Sequence, residues 1–210
     1  MLLRRCKNIL LPPCVFCGSR CTPDEDYICV DCFDDLPWQE QLATKSDSSI
    51  ASVIAPLAYD FPVDAALKAI KFQRRLDYVP AFAGLLANLG YAIPQDIDAL
   101  LPVPLHWRCH AMRGFNQATE LACRLRDTTG LPMLRNFIRR KATTYQTGLE
   151  AQARQRNLND AFAVRGRCSA RHVLIVDDVI TTGATTRALA RVVLQAGAGK
   201  VSVLAVASTR

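Results

Sequence analysis

Long apolar runs are missing from this 210-residue sequence. The uncharged apolar stretches near its two ends, Ile9–Cys17 and Val201–Ala207, fall far short of the roughly 18 residues a membrane span needs. The first is also broken by Pro12-Pro13 and leads into cysteines, which argues against a secretory leader. Charge is sparse at 21%, against 50% apolar residues, so intrinsic disorder is excluded and a proper core is expected. No G-x-x-x-x-G-K-[ST] occurs, which rules out a P-loop NTPase. Gly197-Ala-Gly199 lacks the third glycine of a dinucleotide fingerprint and sits after a helical segment, the wrong order. The nine cysteines are an odd number, so a disulfide framework is not expected. These absences leave a soluble, cytoplasmic globular protein with no membrane insertion.

The cysteines that are present divide the chain. Cys14-Val-Phe-Cys17 and Cys29-Val-Asp-Cys32 are two C-x-x-C pairs separated by eleven residues. Each pair aims two thiolates at one ion, and together they close a tetrahedron; Cys14, Cys17, Cys29 and Cys32 are therefore the expected ligands of a structural Zn²⁺. Gly18 follows the first pair, where a knuckle turn favours a residue without Cβ. Cys21 is a substitute ligand and Cys6 a remote one. A thioredoxin-like site would show one pair beside a βαβ unit, not two. Cys109, Cys123 and Cys168 read as small buried hydrophobes. Residues 1–48 are thus expected to form a zinc-binding module with a polar linker, and residues 49–210 a second domain.

That second domain alternates helix and strand patterns. Ile50–Ala58 reads as a strand. Val63, Ala66, Leu67 and Ile70 mark an amphipathic helix, and residues 79–90 a second one. Ile97–Leu101 is a strand, Arg113–Asp127 a helix, Val173–Val176 a strand, Ala184–Ala196 a helix and Val201–Ala207 the last strand. Such alternation implies a parallel α/β sheet covered on both faces.

Basic charge is concentrated rather than spread. Residues 101–170 carry twelve basic and four acidic side chains, and 20 of the chain's 26 basic residues are arginine. Arginine's planar donor fork suits phosphate, so a nucleic acid or polyphosphate partner is one reading and solvated helix faces the other.

The strongest chemical signal is Val173-Leu-Ile-Val-Asp177-Asp178-Val-Ile-Thr181-Thr182-Gly183-Ala184-Thr185. A buried strand delivers two carboxylates, then a hydroxyl-rich loop enters a helix. Gly183 allows close backbone approach, and the threonine hydroxyls stand beside the free amides of the first helical turn, which makes a cradle for one phosphate. The two carboxylates are acceptors for vicinal hydroxyls. Neither a Ser-His-Asp nor a Cys-His constellation is evident. His106 is the histidine best placed for this site, whereas His110 and His172 read as capping or surface residues.

This segment resembles the PRPP (phosphoribosyl pyrophosphate) motif of type I phosphoribosyltransferases. The resemblance implies Asp177 and Asp178 as catalytic residues on the ribose hydroxyls, Thr181, Thr182, Gly183, Ala184 and Thr185 around the 5-phosphate, and Mg²⁺ bound with PRPP. Further matches are Lys71-Phe72 with Arg75, Pro102-Val-Pro104-Leu-His106, Arg113-Gly-Phe-Asn-Gln117, and Gln146, Leu149, Arg154, Asn157-Leu158 and Ala161-Phe162. Together with the four-cysteine module they make the chain similar to the ComF family of competence proteins, whose fold is type I phosphoribosyltransferase-like. The resemblance implies a role in natural transformation and DNA uptake, with single-stranded DNA and DNA-uptake or helicase proteins as partners. It also makes Leu105, His106, Arg108, Arg113, Lys71 and Arg154 the pyrophosphate and loop candidates, with residues 139–157 a loop closing over PRPP. Prolines 102 and 104 each remove a backbone amide from the pyrophosphate loop, a loss that Arg108 and Arg113 can offset. The alternative is an active phosphoribosyltransferase with an unidentified nitrogen acceptor, or a zinc module that docks a partner through Trp38, Asp34 and Asp35.

Overall fold

The structure of the chain is a computed structural model that describes residues 12–22, 25, 27–39, 43–44, 49–90, 93–140 and 161–209. In these residues α1 (Val30–Asp34) is followed by β1 (Ala43–Thr44), β2 (Ser52–Ile54) and β3 (Leu57–Ala58). Then come α2 (Val63–Gln73), α3 (Tyr78–Asn88), β4 (Ala99–Pro102), α4 (Trp107–Arg113) and α5 (Gln117–Thr129). The chain continues through β5 (Phe137–Arg139), β6 (Phe162–Val164), β7 (His172–Ile180), α6 (Ala184–Gln195) and β8 (Lys200–Ser208).

The main sheet has the order β1-β2-β8-β7-β4, with β3 also on β8. All its pairings are parallel except that of β1 with β2. Strand alternation explains the apolar runs of β7 and β8. Leu174, Val176, Leu204 and Val206 join a core with α2, α3 and α5, whereas Val173, Ile175, Val201 and Val203 join a second core with α6. A parallel sheet covered on both faces has no polar side to spare, so nearly every position is apolar. β5 and β6 form a separate antiparallel pair that contributes Phe137 and Phe162 to the second core.

Four differences from the sequence reading have physical causes. The segment Ile50–Ala58 splits into β2 and β3, both on β8, with Pro56 between them. The expected helix Arg113–Asp127 starts later, at Gln117, as α5, and Arg113 is the last residue of a separate helix, α4. Gly114 ends α4 at φ +84°, and Asn116, in extended conformation, caps α5 by accepting the amide of Ala118. The strand at Val173–Val176 continues to Ile180, because β8 is equally long and pairs with it through Ser208. Finally, His172 is not on the surface. It is 2% exposed, with Nε2 2.9 Å from Ser202 Oγ and Nδ1 2.9 Å from Asp96 Oδ1. Ser202 Oγ lies 2.8 Å from Ser52 Oγ in turn. This places Asp, His and Ser in line where none was expected, but Ser202 is fully buried and out of reach of any substrate.

The four-cysteine segment shares the first core. The Phe16 ring packs on Tyr78 and Phe82 of α3 at centroid distances of 5.6 and 6.3 Å. Trp38 packs on Phe33 at 4.8 Å and donates its indole N–H to the Phe33 carbonyl. It is half-buried, so the surface that Trp38 was expected to offer a partner is largely spent internally; Asp34 and Asp35 remain exposed.

Candidate functional site

The four sulfurs of Cys14, Cys17, Cys29 and Cys32 all lie within 4.8 Å of one another. A tetrahedral ion with bonds of about 2.3 Å needs sulfurs about 3.8 Å apart, and Cys17 Sγ to Cys29 Sγ is 3.6 Å. The donor set therefore fits a closed tetrahedral metal site. The first pair sits on a knuckle in which Gly18, at φ +77°, donates its amide to the Cys14 carbonyl at 2.9 Å. In the second pair Cys29 is the N-cap of α1 and Cys32 lies one turn on. Glu25 joins the two halves by accepting the amides of Thr22 and Val30, which hold its carboxyl below the usual range. Hydrogen bonds from the Ser19 hydroxyl and amide bring the Cys17 thiol down to about 6. Cys21 is buried against the cluster but is not one of the four, and burial raises its thiol. Cys168 is buried, whereas Cys109 and Cys123 are half-buried.

The second site lies where β4 stops and β7 goes on. Pro102 pairs with Val176, and the next amide, that of Val103, donates to the Val176 carbonyl at 2.9 Å. Asp177 and Asp178 follow on β7 with no β4 partner beside them. The two carboxyl groups lie close enough to interact with each other. Asp178 turns toward α2 and α5 and is 4% exposed. Its Oδ2 meets Lys71 Nζ at 2.5 Å, and its Oδ1 receives Gln117 Nε2 at 3.4 Å. Gln117 Oε1 accepts from Arg113 Nη1 at 2.8 Å. Asp177 Oδ1 accepts the Asp178 amide at 2.9 Å. Burial, then the charge of Asp178, push the Asp177 carboxyl well above the ordinary range.

Beyond Ile180 the chain enters the Thr181–Thr185 loop. Gly183 is left-handed at φ +69° and caps α6. The Thr186 hydroxyl donates to the Gly183 carbonyl at 2.9 Å, and Thr182 Oγ1 accepts the Ala184 amide at 3.4 Å. Arg187 folds back over the loop. Its Nη2 donates to the Thr182 carbonyl, and its Nη1 lies 2.7 Å from where a Cβ on Gly183 would sit. Thr181 and Thr182 are exposed, and Gly183, Ala184 and Thr185 half-buried.

The structure thus gathers Lys71, Arg113 and Asp178 around Gln117. His106 is buried and caps α4, accepting the Arg108 amide on Nδ1 at 3.3 Å. Arg108 stacks over the Trp107 ring at 5.3 Å, and Leu105 is half-buried in the loop between β4 and α4. Arg154 and Lys141–Asn157 of the expected closing loop lie outside the described residues. Arg139, at the loop's start, lies over Phe162 at 5.5 Å. Gln117 and Arg187 were not singled out from the sequence as site residues. Gln117 had only its place at the end of Arg113–Gln117, and Arg187 looks like any exposed arginine on a helix.

No protein-family model matches the chain. It is 35% identical over 174 residues to DNA utilization protein YhgH of Salmonella typhi, covering 80% of this chain and 71% of that protein. Identity to the protein of that name in Escherichia coli K12 is 33% over 184 residues, with the same coverage. Competence protein F of Haemophilus influenzae is 29% identical over 205 residues, covering 91% of this chain and 82% of that one. Among solved structures, adenine phosphoribosyltransferase from Leishmania tarentolae matches with a TM-score of 0.44 at 12% identity, over 79% of this chain and 94% of that one. The allosteric regulatory enzyme of purine biosynthesis matches with a TM-score of 0.42 at 21% identity, over 61% of this chain and 26% of that one. At 33–35% identity along four-fifths of its length, the chain belongs to the ComF family, that of DNA utilization protein YhgH and competence protein F.

Proposed function

We propose that this ComF-family protein binds PRPP in the cradle between Asp177 and Thr185, carries a structural zinc on its four cysteines, and handles single-stranded DNA. The observation that carries the PRPP reading is Asp178, a nearly buried carboxylate fixed by Lys71 and Gln117 beside a glycine-turned loop at a helix N-terminus. Asp177 and Asp178 accept the ribose hydroxyls, the amides of the Thr181–Thr185 turn take the 5-phosphate, and Arg113 and Lys71 face the pyrophosphate. Among the described residues no second cluster of three metal-binding side chains forms, so Mg²⁺ arrives with the ligand's own oxygens and supplies charge neutralisation.

Calorimetric titration of PRPP with Mg²⁺ tests this. Wild type should bind, and Asp177→Asn with Asp178→Asn should lose at least tenfold, since the charged Asp178 acceptor alone is worth about 1.5–3 kcal/mol. Unchanged affinity in that variant sinks the assignment.

The strand-binding reading rests on charge. Residues 131–140, 161–171 and 181–209 contain nine basic side chains and no acidic one. They form β5, β6, α6 and β8, and on α6 Arg187, Arg191 and Gln195 follow one another every four residues. Phe115, Phe137 and Phe162 are core residues and offer no stacking face, while Trp107 is 66% exposed. Binding is therefore mainly electrostatic. The logarithm of the affinity should fall with the logarithm of salt concentration by about 0.7 per phosphate neutralised. The charge reversals Arg167→Glu and Arg191→Glu should weaken binding of a short oligonucleotide; if they leave it unchanged, this face is not the site. Transfer of phosphoribose to a nitrogen acceptor would instead show as release of pyrophosphate from PRPP.

A further inference from the structure

We propose that Gln117 is the positioning residue that joins the two ends of the ligand, holding Asp178 for the ribose through one hydrogen bond and Arg113 for the pyrophosphate through the other. This rests on the PRPP reading above. The amide leaves no choice of orientation. Arg113 can only donate and an ionised Asp178 can only accept, so the carbonyl of Gln117 must face Arg113 and its NH₂ must face Asp178. The observed contacts, 2.8 Å to Arg113 Nη1 and 3.4 Å to Asp178 Oδ1, follow that order. With Lys71 on the other oxygen, both oxygens of Asp178 are held and its plane is fixed.

Gln117 is itself held. It is 7% exposed and is the first residue of α5. Its neighbour Asn116 caps that helix and donates Nδ2 to the Val103 carbonyl at 2.9 Å. The helix start is thereby pinned to the strand whose end exposes the aspartates. Any buried amide needs partners for both its ends, and here both partners are charged side chains of the site. An anion that draws on Arg113 therefore changes the hold on Asp178, and a ligand on Asp178 changes the reach of Arg113.

Two substitutions separate these bonds, with ribose 5-phosphate and PRPP, each with Mg²⁺, as probes in calorimetry. Gln117→Met keeps length and volume but makes no hydrogen bond. It should lower affinity for both probes about tenfold, with the melting temperature within a few degrees of wild type. Gln117→Glu still accepts from Arg113 but sets a carboxylate against Asp178. Its affinity for both probes should fall near neutral pH and recover relative to wild type on acidification, when the introduced carboxyl regains a proton to donate. A merely structural role would not produce that pH profile. Wild-type binding of both probes with both variants unchanged overturns this role while the PRPP reading stands. Failure of wild type to bind either probe overturns the PRPP reading, and this role with it.

Discussion

Asp177 shows what the site costs the fold. Burial and the Asp178 charge raise its carboxyl above the ordinary range, and Lys71 offsets only part of this. In the unfolded chain the same carboxyl ionises near the usual value of about 4. Above that value the unfolded state has lost a proton that the native state still holds, so stability falls as pH rises toward the folded value. Asp177→Asn should accordingly melt higher than wild type near neutral pH, and the advantage should vanish below about pH 4. The same variant should lose PRPP affinity. Melting curves at the two pH values check the first part and calorimetry the second; a variant less stable than wild type near neutrality contradicts the sign.

At the level of elements, the sequence was readable wherever burial is periodic or spacing is chemical. The thiol pairs, the apolar run of β7 and the phosphate loop are local signals, each within a few residues. α4 was missed because none of its residues is buried, so Trp107–Arg113 has no apolar face to reveal it. β5 and β6 were missed because each is three residues long and its partner is more than twenty residues away in the chain. The burial of His172 is not legible in the sequence, because the pairing that buries it, next to Ser202 and Asp96, is long-range. The α4–α5 junction is the element on which the site depends. Asn116 gives α5 its cap and ties it to Val103. Asn116→Ala should cost about 1–2 kcal/mol of stability and lower PRPP affinity, even though Asn116 does not touch Asp178. Denaturant unfolding and calorimetry together read both effects; full affinity in a destabilised variant would detach the junction from the site.

For the molecule as a whole, the four-cysteine segment and the sheet are joined through aromatic packing. Val15, Phe16, Tyr27 and Trp38 pack on the core that also holds Leu67, Phe82 and Leu204. With the proposed zinc removed, the four thiols would have nothing to gather them, and Phe16 would lose the frame that holds it on Tyr78 and Phe82. A chelator or Cys14→Ser should therefore lower the melting temperature of the sheet as well as of the N-terminal segment. Scanning calorimetry of the metal-loaded protein should show one transition. Two transitions, with only the first sensitive to chelator, would mean that residues 1–48 fold on their own terms.

The line Asp96–His172–Ser202–Ser52 lies at the other end of the sheet from the aspartates. A search by atomic distances alone would take it for a hydrolytic nucleophile and its base. Its consequence is of another kind, because its members sit on β7, β8 and β2 and the loop before β4. Sliding β7 against β8 by a single residue would leave the buried His172 imidazole and Ser202 hydroxyl without each other, at about 1–3 kcal/mol for each orphaned group. Strands apolar on both faces, such as these, could otherwise slip past one another at less cost. The buried polar line works as the notch of a key: it admits one alignment of the sheet, and so fixes how far β7 projects past β4 at the opposite end.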